Sequence, residues 1–431
     1  SSKYKGINIM NVYTVLEYLK IDIANNFGID KQSFEERIHW FNREVEPYIS
    51  SESTDDYLWD IIPEIAPDEP ELFYAGLLAY RDTLAGKPTG YRISLDAVCS
   101  GVQCLAALTL DEPALKDTGL IGSERGDIYS SIYRDMCKAM GKDTSDAHVK
   151  DMRDKAKKSI VPMMYGSRRA PERYFPDEVE RSAFLIAADN RMKSCLILRN
   201  VLMNAVDKEA TQYQWVMPDR HTVITPVIVR NWYETTLVNG FSFKWSIYER
   251  GKSNWYIKNA ANVIHSLDGF IMREMVRRCS YNTRLVYDTY NLLLGVKTVE
   301  GGVSDDFLKA KFLMEQSGFI PTNIISVINT TEEVNQLSKE VKDKLIARLY
   351  LMLKYKPFEV LVIHDCFTSN AKYGNYLRYW YKEIMAEIAE SNMLHFLCRQ
   401  LPNNPVTEKS VNQEAKKRVA KLIRESEYGL S

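Results

Sequence analysis

The chain has 431 residues, with 56 Lys and Arg against 57 Asp and Glu and a formal net charge of −1. At 45% hydrophobic and 26% charged it reads as an ordinary globular protein of two to four structural units, which argues against a disordered, collagenous or disulfide-scaffold chain. No run approaches the ~18 apolar residues of a membrane span, Ser1-Ser2-Lys3-Tyr4 does not read as a signal peptide, and seven scattered cysteines without a CxxC pair fit a reducing cytosol and no structural zinc site.

In chain order, Val12, Val15, Leu16, Leu19 and Ile23 fall at helical spacing and predict a helix over 9–26. From Glu44 to Glu71 there are ten acidic residues and no basic one, interrupted by Pro47, Pro63, Pro67 and Pro70. A solvated, irregular connector is expected there, or a surface for a basic partner. Tyr91–Leu95 reads as a short strand, followed by a helix-like run from Ser100 to Leu110. Asp151–Met164 is predicted helical, stopped near Tyr165-Gly166, with Pro162 expected to kink its last turn. Residues 213–248 are β-rich, notably Thr222–Val229, with Asn239-Gly240 as a hairpin turn. A helix from Ser304 to Gly318 and a capping box at Thr330 and Glu333 place extra helices in 290–356. Phe358–Ile363 is a further predicted strand, ahead of a long helix.

The near-zero net charge alone would speak against a nucleic-acid binder. It is an average, however: Asp151–Arg173 carries seven basic residues to three acidic, and Glu408–Arg424 six to two at helical spacing. Counterion release depends on such local fields, not on the sum.

Asp96 and Asp365 each stand just beyond a predicted strand. An Asp there is ordinarily a turn former or helix cap. Two such carboxylates on neighbouring strands could instead hold a pair of Mg²⁺ ions, as phosphoryl and nucleotidyl transfer require. Arg153, Lys157, Val161 and Tyr165, at i, i+4, i+8 and i+12, form one helical stripe that sets two cations against a polyphosphate and a ring against a base or sugar. A basic solvated face would give the same pattern, but Ile160, Met163 and Met164 occupy the opposite side.

The order of these motifs, R-x₃-K-x₇-Y-G between two strand-end aspartates, resembles the single-subunit, phage-type RNA polymerases of phages and mitochondria. Leu95–Gln103 is similar to the family's first catalytic motif, Arg153–Gly166 to its fingers helix, and Ile363–Phe367 to its second metal motif. Asp127–Tyr129, Trp215–Asp219, Asn262–Gly269, Gly28–Lys31, Asp68–Pro70 and the C-terminal Glu425–Ser431 also have counterparts in the family's order. The resemblance covers almost the whole chain except roughly 290–356.

It implies an α+β, helix-rich right-hand fold: palm over 1–112 and 265–431 with a small antiparallel palm sheet, fingers over 113–264 with a hairpin near 222–248, and a helical insertion at 290–356. The hairpin would touch template or promoter DNA. Asp96 and Asp365 would bind two Mg²⁺ ions, with the Ala97 carbonyl as a further ligand. Lys31, Arg153 and Lys157 would contact the incoming rNTP, Lys157 protonating the pyrophosphate, and Tyr129 would belong to the same substrate site. Tyr165 and His265 would sense the ribose 2′-hydroxyl. Related DNA polymerases place a Glu where Gly101 stands, which favours ribonucleotides here.

The activity implied is a DNA-directed RNA polymerase acting on DNA template, nascent RNA and rNTPs, away from membranes, in the cytosol of a phage-infected bacterium. The competing readings are a DNA polymerase of the same hand and a non-catalytic nucleic-acid-binding subunit. The family's Asp-x-x-Gly-Arg element does not occur ahead of Asp96. That is similar to the two-subunit polymerases of coliphage N-four and its relatives, in which this chain would be the larger, catalytic subunit. A second polypeptide would then supply that element, the thumb and the N-terminal region. A truncated longer chain would explain the same absence.

Overall fold

The computed structural model describes residues 12–252, 258–405 and 412–431. The expected first helix runs from Val15 to Phe27, opened by a capping box between Thr14 and Glu17. Residues 9–11 of that expectation, and 408–411 of the basic tail, lie outside the described residues. The rest of the basic tail is helical from Gln413 to Arg424.

Between Glu44 and Glu71 the structure corrects the expectation of an irregular connector. Short helices span Asp55–Asp60 and Ile62–Ile65, and a longer one begins at Pro70 and runs to Leu84. Thr54 caps the first through the Tyr57 N–H. Pro63 and Pro70 sit in first turns, where the missing N–H has no intrahelical partner to lose, so these prolines open helices rather than break them. Asp68 and Glu69 donate backbone N–H groups to the Phe27 and Asn26 carbonyls, which docks two of the sequence blocks onto each other.

Strands β1 (Arg92–Asp96), β2 (Gln212–Val216), β3 (Thr222–Pro226), β4 (Ile228–Thr236), β5 (Ser242–Arg250), β6 (Leu361–Ile363) and β7 (Cys366–Asn370) make three small antiparallel sheets. β4 pairs with β5 around the Asn239-Gly240 turn, as the sequence predicts, and β2 pairs with β3 in a second hairpin that the sequence analysis does not anticipate; the Thr222–Val229 piece divides between β3 and β4. The β4–β5 ribbon leaves Trp232, Tyr233, Phe243, Trp245 and Tyr248 exposed.

The third sheet has the order β1-β7-β6. It differs from expectation in two ways. The strand predicted over 358–363 shortens to Leu361–Ile363, because the Phe358 N–H is taken by the Cys279 carbonyl and its ring stacks on Tyr373 at 4.2 Å. β7, which the sequence reading passed over, fills the centre of the sheet between Asp365 and the helix Gly374–Glu390. Asp96 pairs with Cys366 in the register, so the two aspartates come to the same end of the sheet.

Gly374–Glu390 is the central helix, packed against Lys258–Cys279, Ser100–Thr109 and Gln413–Arg424. Its buried cations anchor the C-terminal segment: Arg378 donates to the Glu427 carboxylate at 3.2 Å, and Lys382 donates to the carbonyls of Arg424 and Ser426. Burial draws Lys382 down to about 8. Ser431 then exchanges two backbone hydrogen bonds with Asp96, at 2.9 and 3.1 Å, and fixes the strand end that carries the carboxylate.

The helices of 290–356 form where expected, including Asp305–Ser317 between Ser304 and Gly318. Buried charges weld them to the body: Arg348 and Arg278 pair with Glu387 at 2.6 and 2.7 Å, and Glu274 accepts from the Thr322 N–H. Among the described residues, no helix is long and apolar enough to cross a membrane. All seven cysteines are free thiols.

Candidate active site

A cavity of about 580 Å³ opens where β1, the β6–β7 turn and five helices converge. All ten residues singled out from the sequence border it: Lys31, Asp96, Ala97, Gly101, Tyr129, Arg153, Lys157, Tyr165, His265 and Asp365. They come from segments more than 300 residues apart.

The floor is the strand-end pair. Asp96 is the last residue of β1 and its side chain is exposed to the cavity. Asp365 lies in the two-residue turn between β6 and β7, and its carbonyl accepts the Ala97 N–H at 3.1 Å. Residues beside both aspartates adopt left-handed backbone, Cys99 at φ +51° and His364 at φ +59°. Such conformations are costly for non-glycine residues and persist where the surrounding structure enforces them. The enclosing protein raises the Asp96 carboxyl above its usual range, as does the neighbouring charge of Asp365, while the Cys366 thiol and Lys31 pull it back. Asp22, buried beneath and accepting from Tyr91 and the Ser94 N–H, is pushed up to about 6 by burial.

The roof is the helix Asp146–Met164, capped by Ser145 and longer than the predicted 151–164. It continues past Pro162 to Met164, so the proline ends the helix within a turn. Val149, Ala156, Ile160 and Met163 are buried away from the cavity, while Arg153, Lys157, Val161 and Tyr165 border it; Met164, expected opposite the stripe, is buried but borders the cavity as well. Arg153 pairs with Asp127 at 2.6 Å and lies 5.0 Å over the Tyr129 ring. Tyr129 is buried and supports that guanidinium from below. Lys158 pairs with Asp154, and Lys155 lies 3.8 Å from Glu180. Among the described residues Lys157 makes no ion pair, so its charge is available to the cavity. Lys31 pairs with Asp30; burial, with Arg153 and Arg125 nearby, lowers its pKa.

At the far end Gly166, at φ +101°, turns the chain so that Tyr165 faces inward. The Tyr165 ring stacks on His265 at 4.9 Å and 12°. Burial raises the Tyr165 hydroxyl and lowers His265, the latter also through His364. His265 is exposed and borders the cavity. A side chain at Gly101 would begin 3.3 Å from the Tyr165 hydroxyl oxygen, so the glycine keeps room for that group.

Asp22, Arg125, His364 and Asp268 belong to this neighbourhood without having been selected from the sequence. His364 was legible, being next to Asp365. Asp22 reaches the cavity from inside an ordinary amphipathic helix and Arg125 from a loop, so no local pattern marks either.

Two hard carboxylates and a cationic helix stripe bordering one cavity make a site suited to a polyanionic substrate. Residues 13–173 match the family model described as DNA-dependent RNA polymerase. Over 126 residues the chain is 33% identical to the DNA-directed RNA polymerase of Pseudomonas phage phiKMV, covering 27% of this chain and 15% of that protein. It is also 30% identical over 127 residues to the probable DNA-directed RNA polymerase of Neurospora crassa, covering 28% and 13%. The chain therefore aligns with less than a fifth of the length of these curated relatives. The matched family segment contains Lys31, Asp96, Gly101, Arg153, Lys157 and Tyr165, and ends before His265 and Asp365.

Proposed function

We propose that this chain is the catalytic part of a DNA-directed RNA polymerase that adds rNTPs to an RNA 3′ end. The observation that carries the reading is the convergence of Asp96 and Asp365 at one sheet end, bordering a single cavity with Lys157, which makes no ion pair among the described residues. In this reading 1–112 and 265–431 form the palm and 113–264 the fingers.

The donor set fits Mg²⁺: oxygen ligands only, and an Asp96 carboxyl raised by burial and by the neighbouring charge of Asp365, the second of which a divalent cation would relieve. Asp96, Asp365 and the Ala97 carbonyl would hold two such ions, which when bound supply a lowered pKa for the RNA 3′-hydroxyl and charge neutralisation on the leaving pyrophosphate. Lys157 places its ammonium against the triphosphate and donates a proton to the leaving group. Arg153, held by Asp127 and Tyr129, and Lys31 add positive charge at fixed positions. Tyr165 and His265 form a stacked wall for the sugar and base. Arg220 to Arg250, including the aromatic ribbon, supports nucleic-acid contact, since exposed aromatic rings stack bases. Shortening the β4–β5 ribbon is expected to change start-site choice on promoter DNA while leaving elongation of a primed template intact; loss of both would refute that role.

Primer extension with rNTPs and dNTPs tests the reading. Ribonucleotides should be favoured, and Gly101→Glu should lower rNTP use by ~10-fold or more, because its side chain must displace the Tyr165 hydroxyl. A preference for dNTPs in the unsubstituted chain would point to a DNA polymerase of the same hand.

A further inference from the structure

We infer that His265, Asp268 and His364 form a binding site for a borderline divalent metal of the zinc class, adjacent to the oxygen-only pair of Asp96 and Asp365, with His364 Nδ1 3.6 Å from the Asp365 carboxylate. His265 and Asp268 stand one turn apart on the helix Lys258–Cys279, and His364 comes from the β6–β7 turn. One ligating atom from each lies within 4.8 Å of the other two. A tetrahedral zinc with bonds of 2.0–2.1 Å separates its ligands by roughly 3.3 Å, so modest side-chain rotations close the set.

A second observation points to a missing partner. Asp268 is only 8% exposed. One of its oxygens accepts from the Cys104 thiol at 3.3 Å, and the other, Oδ2, is buried without a hydrogen-bond partner. A buried carboxylate oxygen left in this state is destabilising, and native structures rarely keep one unless something fills the gap. The two imidazoles are at the right place to share a ligand with it: their rings are 5.9 Å apart and perpendicular, and both are exposed to the cavity. His364 also occupies a left-handed turn position that glycine would fill without strain, so the imidazole is retained at a cost.

Two imidazoles and one carboxylate select Zn²⁺ or Co²⁺ over Mg²⁺, and leave a coordination position open. Because His265 stacks on Tyr165, an ion held here would also clamp that ring pair to the β6–β7 turn.

The test is metal binding by the chelator-treated full chain and needs no polymerase activity, so it stands apart from the function proposed above. Titration with Co²⁺ alone should give one equivalent with a visible absorption band, displaced by Zn²⁺ and not by millimolar Mg²⁺. The melting temperature should rise by a few degrees with Zn²⁺. Asp268→Asn and His364→Gln should each weaken Co²⁺ binding at least ~10-fold, whereas Asp96→Asn should leave the band in place. Far-UV circular dichroism of each variant shows that it is folded. Absence of a stoichiometric band would overturn the inference and leave a hydrogen bond between Asp268 and an imidazole as the role of these residues. So would a band that survives both substitutions.

Discussion

Asp365→Ala is expected to lower nucleotide addition by at least ~10³-fold while template binding is largely retained, and Asp96→Asn to do the same. The magnitude follows from the chemistry: metal-assisted charge stabilisation contributes several kcal/mol to the barrier, and each 1.36 kcal/mol is a factor of ten. The fold should tolerate both changes. Asp365 is held by its backbone carbonyl, which accepts the Ala97 N–H whatever the side chain. Asp96 is held by its backbone bonds to Ser431 and its register opposite Cys366. Its carboxyl is raised above the usual range by burial and by the charge of Asp365, so a neutral amide relieves a desolvated charge at the expense of the Cys366 thiol contact. Single-turnover primer extension reads the rate and fluorescence anisotropy reads template binding. Near-normal extension by either variant would remove the catalytic reading and favour a non-catalytic nucleic-acid-binding subunit.

The parts of this site that were legible in the sequence are those set by local rules. The strand-end position of Asp96, the 3.6-residue stripe from Arg153 to Tyr165 and the Asn239-Gly240 turn depend on neighbours along the chain, and the structure places each accordingly. What failed depended on distant partners. Cys366–Asn370 has no strand pattern of its own, and becomes β7 because β1 and β6 both hydrogen-bond to it. Glu44–Glu71 is the exception, because its signals are local: Thr54 caps a helix and Pro63 and Pro70 open two more, while the charge and proline content suggest an irregular stretch. Asp22 enters the site because Ser94 and Tyr91, some 70 residues away, bond to it. The buried tether of Arg378 and Lys382 to the last residues was equally silent, since charged residues on a helix ordinarily read as its solvated face.

The same distinction separates the two cations of the stripe, which the sequence presents as equivalent. Lys157→Ala is expected to reduce the rate of nucleotide addition by ~10²- to 10⁴-fold, the range that a positioned general acid contributes. Stability should change by less than about 0.5 kcal/mol, because the ammonium is exposed and makes no ion pair among the described residues. Arg153→Ala should behave differently. It leaves the Asp127 carboxylate without its 2.6 Å partner and takes the guanidinium off the buried Tyr129 ring, so stability and activity should fall together. Lys157→Arg keeps the charge but presents a group that cannot release a proton near neutral pH, and it should restore substrate affinity more than turnover. Rates at saturating and limiting rNTP, with thermal melts of each variant, separate these outcomes. If Lys157→Ala kept its full rate while Arg153→Ala lost activity only through unfolding, the stripe would be a solvated basic face, and the convergence of Lys157 with Asp96 and Asp365 would carry no chemistry.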